Sequence, residues 1–344
     1  MKIIIDNFVP YACEALSPYA EVVALHANEF SPEVVADADA LVVRTRTRCN
    51  SALLDGSKVA LVTTATIGFD HIDTEWCKGQ NIEVVSAAGC NARGVLQWVS
   101  AALCHALKAK HIDSPNGLTI GVIGVGHVGS LVADYCRSWG FRVLCSDPPR
   151  ERAEGLTESD GFVPLDELLR ESDIVTLHTP LIRGGEWPTF HLADSRFMSL
   201  LKPGAVLLNA SRGEVADTEA LLQAREDITL LLDVWEGEPN GINRALLERA
   251  KVATPHIAGY SLQGKANASA IVIRAIAQKF GIEPLTEWYP QGVKPSAPRP
   301  ISWGEMCAEV GNYCDLEGET ALLKSHPDQF DQRRNTYPLR EEYF

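Results

Sequence analysis

The chain has 344 residues, too many for one hydrophobic core of ordinary size, so two or three domains are expected. Its 46% hydrophobic and 7% aromatic content is that of a globular protein, and no apolar run approaches the roughly 20 residues a membrane-spanning helix needs. A formal charge of −14 repels nucleic acid phosphates and acidic lipid surfaces, which sets both aside as partners and means that a small anion needs a local basic site.

Taken in chain order, MKIIIDNFVP reaches Asp6 after three isoleucines, too soon for a secretory signal, and predicts a strand. Strand-like EVVALH, ALVVRT and VALVTTAT then alternate with helix-like YACEALSPYA and PEVVADA, the pattern of a parallel α/β sheet. Arg44, Arg46 and Arg48 alternate in VVRTRTRCN, so a strand there points all three to one face. The competing reading is a solvated edge that discourages strand pairing. DHIDTEWCKGQ predicts a helix ended at Gly79, IEVVSAA a strand, and ARGVLQWVSAALCHALKAK a long buried helix linking two lobes.

A second α/β series begins at LTIGVIGVG. It continues through FRVLCSD, DIVTLHT, AVLLNAS, ITLLLDV and KVATP, with LDELLRE, EALLQARE and NRALLERA as helices between them. SLQGKANASAIVIRAIAQKF is a further helix that can return the chain to the first lobe. The expected fold is therefore α/β: two Rossmann-like doubly wound parallel-sheet lobes with a small C-terminal extension. The boundaries read as 1–92 completed by 262–282 for a substrate-binding lobe, 93–261 for a dinucleotide-binding lobe, and 283–344 for a proline-rich, weakly periodic extension. Nine cysteines with no C-x-x-C pair point to reduced thiols in a cytoplasm, and neither they nor the histidines show metal-ligand spacing, so no metal is expected.

Gly124, Gly126 and Gly129 form G-x-G-x-x-G between an apolar strand and a helix. The first permits the tight turn, the second lets a pyrophosphate approach the backbone, and the third lets helix and sheet pack closely. The helix N-terminus offers its unpaired N–H groups to the phosphates. Asp147, ending the next strand, can accept hydrogen bonds from ribose hydroxyls and repel a 2′-phosphate, which favours NAD over NADP. Three later segments, NASRGEVADT, LLDVWEGEP and ATPHIAGYS, each follow an apolar strand and bring Arg212, Glu238 and His256 to strand ends.

The glycine loop, N-x-x-R-G, D-V-x-E-x-E-P and T-P-H-I-x-G, in that order over residues 1–282, resemble the D-isomer-specific 2-hydroxyacid dehydrogenases. The resemblance implies that Arg212, Glu238 (rather than Glu236) and His256 are the catalytic residues. The chemistry asks for the same types: a histidine to take the hydroxyl proton, a carboxylate to fix its tautomer, an arginine to grip the substrate carboxylate. VVRTRTRCN, TATIGFDHID, GCNARG, CSDPPR and TPHIAGYSLQGKA narrow the resemblance to the 4-phosphoerythronate dehydrogenases of vitamin B6 biosynthesis, homodimers acting on a small phosphorylated 2-hydroxy acid. By that resemblance Thr45, Thr66 and Tyr260 touch substrate. Cofactor contacts fall on His127, Val128, Asp147, Thr179, Ala210, Ser211, Asp233 and Gly259. Arg44 and Arg46 are candidates for the substrate phosphate on charge alone. The alternatives are another enzyme of the family, such as a 3-phosphoglycerate dehydrogenase, or a non-catalytic NAD-sensing corepressor or scaffold on the same fold.

Overall fold

A computed structural model describes residues 1–344. The chain divides into two compact units, Met1–Asn91 with Ser261–Ser296, and Ala92–Tyr260 with Ala297–Phe344. In the first, β1 (Lys2–Asp6), β2 (Glu21–Leu25), β3 (Ala40–Val43), β4 (Leu61–Thr64) and β5 (Glu83–Ser86) form a wholly parallel sheet in the order β2-β1-β3-β4-β5. Parallel strands are covered on both faces and so read as continuous apolar runs. Ile3, Ile5, Val42 and Leu61 pack against Val272, Ile273 and Ile276 of the helix Leu262–Phe280. On the opposite face Ile4, Leu41, Val43 and Val62 pack against Val35, Leu54 and Cys77. That helix starts where Ser261 Oγ accepts the Gly264 N–H at 3.0 Å and stops at Gly281, whose φ of 70° suits glycine. The first unit is thus discontinuous in sequence.

The three alternating arginines do not share a strand face. β3 ends at Val43, and the chain turns so that Thr47 N–H donates to the Arg44 carbonyl at 3.1 Å. Thr47 and Cys49 turn inward and are buried, which leaves Arg46 and Arg48 exposed and Arg44 half-buried, 5.6 Å from the Phe8 ring centroid.

The second unit is built on β6 (Thr119–Ile123), β7 (Arg142–Ser146), β8 (Ile174–Leu177), β9 (Val206–Asn209), β10 (Thr229–Leu232) and β11 (Val252–Ala253), all parallel, in the order β11-β10-β9-β8-β6-β7. A single bridge from Cys145 to Phe162 stands where a further strand would continue beyond β7. The order reverses between β6 and β8, and ligands of doubly wound sheets bind outside the strand ends at that point. The helix Ala92–Ala109 buries Trp98, Ala102 and Leu103 against the helix His127–Trp139 and the sheet.

Residues 283–344 do not form a unit of their own. Residues 283–296 group with the first unit, and the helices Trp303–Tyr313, Leu316–Ser325 and Phe330–Thr336 with the second. Met306, Val310 and Phe344 join the core around Ile120 and Val122, while Leu323 and Phe330 join the one around Leu232 and Ala253. No helix is long and apolar enough to cross a membrane.

Candidate functional site

The three glycines stand together at the turn from β6 into the helix His127–Trp139. Gly124 has φ of 82°, and a Cβ there would lie 2.8 Å from the backbone of His178 and Thr179. A Cβ on Gly129 would lie 2.0 Å from the Gly124 carbonyl oxygen, so only glycine lets the helix His127–Trp139 approach the turn. Around Gly126 a Cβ would meet nothing within 4 Å, and no side chain caps the helix it starts. The first-turn N–H groups of a helix, here including those of His127 and Val128, have no partner inside the helix, which is what an anion site uses. β8 delivers Thr179 to the same reversal point, where its Oγ1 is a buried hydroxyl with no protein partner.

Asp147 closes the loop from the other side. Its Oδ2 accepts the Val125 N–H at 2.7 Å, and its Oδ1 accepts the Arg150 N–H at 3.2 Å to cap the helix Pro148–Glu154. A carboxylate has lone pairs beyond these two. Arg150 Nη1 donates to the Val125 carbonyl at 2.7 Å and to Ser130 Oγ at 3.1 Å, which ties the glycine loop to the next helix. An open glycine cradle, uncapped N–H groups, an orphaned hydroxyl and a strand-end carboxylate fit a dinucleotide.

The segment after β9 is held by Asn209, whose Oδ1 accepts from the Ser211 N–H at 3.0 Å and Oγ at 2.8 Å, while its Nδ2 donates to the Arg212 carbonyl at 3.0 Å. Ala210, Ser211 and Arg212 are therefore a rigid turn. Gly213 presses that turn onto the next one: a Cβ there would lie 2.0 Å from the Trp235 carbonyl carbon and 2.4 Å from the Glu236 nitrogen. This close approach brings the Arg212 turn against the loop that carries Glu238.

Glu238 and His256 meet. Glu238 Oε1 accepts from His256 Nδ1, and Oε2 accepts the Trp235 N–H at 3.1 Å. Burial alone would raise the Glu238 carboxyl, but the imidazole, then Arg334 and the Trp235 amide, outweigh it and hold it below the usual range. His256 has φ of 55°, a left-handed conformation that its own N–H secures by donating to the Asp233 carbonyl at 2.7 Å. Glu236, two residues away, pairs instead with His191 Nε2 at 2.8 Å.

Asp233, expected at the cofactor, is also a structural acceptor. Its side chain is fully buried, and it accepts from Thr254 Oγ1 at 2.6 Å and from the N–H groups of Ile257 at 2.8 Å and Ala258 at 2.9 Å. Trp98 Nε1 donates to Thr254 Oγ1 at 3.0 Å. Asp233 thus fixes the loop that presents His256, and burial pushes its carboxyl up against the pull of these partners. Gly259 and Tyr260 end the same loop, with Tyr260 edge-on to Tyr337 at 6.3 Å.

In the first unit Thr45 and Arg46 are exposed in the turn after β3, and Thr66 follows β4 with its Oγ1 2.6 Å from Thr64 Oγ1. His191, Asp217 and Glu236 bring ligand-type atoms within 4.8 Å of one another, a grouping that no spacing in the sequence reveals. The His191–Glu236 pair and the Asp217 cap on the Glu219 N–H at 2.9 Å account for them without an ion.

Residues 90–258 match the family model described as D-isomer specific 2-hydroxyacid dehydrogenase, NAD binding domain. An erythronate-4-phosphate dehydrogenase of Bacteroides fragilis is 44% identical over 99% of this chain and 97% of its own length, and one of Bacteroides thetaiotaomicron is 45% identical over the same shares. The chain belongs to the D-isomer specific 2-hydroxyacid dehydrogenase family. As a member it is an NAD-dependent oxidoreductase. A D-lactate dehydrogenase of Aquifex aeolicus, solved with NAD and lactic acid, shares the family fold at a TM-score of 0.66 and 25% identity, covering 86% of this chain and all of that one.

Beyond the motifs, two residues that sequence reasoning missed stand against these loops. Arg340, fully buried, donates to the carbonyls of Gly94 at 3.0 Å, Ile257 at 3.1 Å and Ala258. Arg334 stands beside Glu238. Both lie in the tail, and no local pattern there pairs them with a loop some 80 residues earlier.

Proposed function

We propose that this dehydrogenase oxidises 4-phospho-D-erythronate at C2 to 2-oxo-3-hydroxy-4-phosphobutanoate, in the route to pyridoxal 5′-phosphate, as a cytoplasmic homodimer. The observation that carries the reading is the His256–Glu238 pair beside the Arg212 turn, in a chain 44–45% identical to erythronate-4-phosphate dehydrogenases over nearly its whole length. NAD, when bound by the glycine cradle, Asp147 and Thr179, supplies the hydride acceptor. Because an ionised carboxylate can only accept, Glu238 keeps the proton of a neutral His256 on Nδ1 and leaves the Nε2 lone pair free. Nε2 takes the C2 hydroxyl proton as the C2 hydride departs, and Glu238 stabilises the imidazolium so formed. Arg212 grips the substrate carboxylate and polarises the developing carbonyl. In the first unit, Thr45 and Thr66 are proposed to hydrogen-bond the hydroxy acid, and Arg44 with Arg46 to meet its phosphate. Tyr260 is proposed as a further substrate contact.

The test is turnover of 4-phospho-D-erythronate with NAD against 3-phosphoglycerate, D-lactate and dephosphorylated erythronate. The expected result is a preference for the first in kcat/KM, with Arg46→Ala raising KM for the phosphorylated acid far more than for its dephosphorylated analogue. Faster turnover of 3-phosphoglycerate would assign a different substrate, and equal KM changes would remove the arginines from the phosphate.

A further inference from the structure

Glu238 has a neighbour from outside the family's strand-end motifs. The helix Phe330–Thr336 of the C-terminal segment carries Arg334, whose Nη1 lies 4.0 Å from Glu238 Oε1, the same oxygen that meets His256 Nδ1. The guanidinium carbon lies 6.0 Å from the Tyr260 ring centroid, and three quarters of the side chain is withdrawn from solvent. Its Nε is buried with no hydrogen-bond partner. Burial opposes the charge, but Tyr260 and Glu238 outweigh it and push the guanidinium pKa up. A cation kept there against desolvation, beside the carboxylate that orients a general base, does more than pack.

We propose that Arg334 is a positioning residue for proton transfer: it keeps Glu238 ionised and turned to His256. The inference rests on the proposed role of His256 as the base. The strand-end loops contribute Glu238, His256, Tyr260 and Asp233. From the tail, Arg333 is paired with Glu319 at 2.7 Å, and Arg340 is committed to the carbonyls of Ile257 and Ala258. Arg334 is thus the cation whose charge reaches the Glu238 carboxylate directly.

Removing a cation makes Glu238 easier to protonate, and a protonated Glu238 no longer holds His256 as a base. In Arg334→Gln the acid limb of the kcat/KM profile is expected to move up by about one pH unit, and Arg334→Lys is expected to restore it. The carboxyl titration of Glu238, followed by carbon-13 NMR in glutamate-labelled protein and assigned with Glu238→Gln, is expected to rise in Arg334→Gln without any need for turnover. If Arg334→Gln does not fold, Arg334→Met keeps the apolar stem over Tyr260 and removes the same charge. A limb and a carboxyl titration both unmoved in a folded neutral variant would overturn the proposal, whatever happens to kcat. Should wild-type protein turn over none of the hydroxy acids, the base assignment fails, while the NMR titration still decides whether Arg334 holds Glu238 ionised.

Discussion

Gly213→Ala tests whether the Arg212 turn and the Glu238 loop work as one piece. Gly213 has an ordinary backbone conformation, so alanine adds only a methyl, and that methyl would lie 2.0 to 2.4 Å from backbone atoms of Trp235 and Glu236. Ordinary contact begins near 3.4 Å, and neither side can yield by rotating a side chain because the clashing atoms are main chain. The two turns must part by about 1 Å, and a misplacement of that size costs about 100-fold in rate, or about 2.7 kcal/mol of transition-state stabilisation. Overpacking adds about 1–3 kcal/mol of lost stability. The glycine loop lies elsewhere on the sheet, but Ala210 and Ser211, expected at the cofactor, move with the Arg212 turn, so NAD affinity is expected to fall by less than the rate does. Steady-state kinetics, a fluorescence titration with NAD and a thermal melt measure the three effects. A folded Gly213→Ala enzyme with wild-type kcat would refute the claim that this contact sets the spacing of Arg212 and Glu238.

Two further outcomes follow from the same geometry. Gly126→Ala puts its methyl into open space, so Tm should hold, while NAD binding weakens by about tenfold or more because the methyl stands where the pyrophosphate approaches; unchanged affinity would move the cofactor off this loop. Burial pulls the His178 imidazole down to about 3 from 6.5, so the folded state keeps it neutral while the unfolded chain takes up a proton. Stability therefore falls as pH drops from about 6.5 toward 3, by up to about 1.4 kcal/mol per pH unit for this group, and His178→Gln should flatten the denaturation profile over that range. A profile of unchanged slope would count against it.

Sequence legibility followed the range of the interaction. The glycine loop, the strand-end segments and the helix Leu262–Phe280 are written in local periodicity and spacing, so their places were readable. Arg44, Arg46 and Arg48 misled because alternation describes a strand only while its partners last, and β3 loses its register at Val43. The loop contacts of Asp233 were hidden in another way. A strand-end carboxylate looks the same in sequence whether it meets a ligand or the next loop, and here Thr254, Ile257 and Ala258 claim it. The tail hid its role because each helix contributes only a narrow apolar stripe, such as Met306 and Val310, amid charged residues. Arg334 and Arg340 reach groups some 80 to 240 residues away, and nothing local announces such contacts.

The C-terminal helices also settle how the six-stranded sheet finishes. At one border β11 is only two residues long, and the Ala253 amide is taken by Thr320 Oγ1 of the helix Leu316–Ser325 at 3.0 Å. At the other, the row beyond β7 shrinks to the Cys145–Phe162 bridge. Neither border offers a long flat ladder of idle amides onto which a stray strand could dock, the usual opening for aggregation. A chain clipped before Trp303 would uncover the β11 side, and its failure would be precipitation as well as lost turnover.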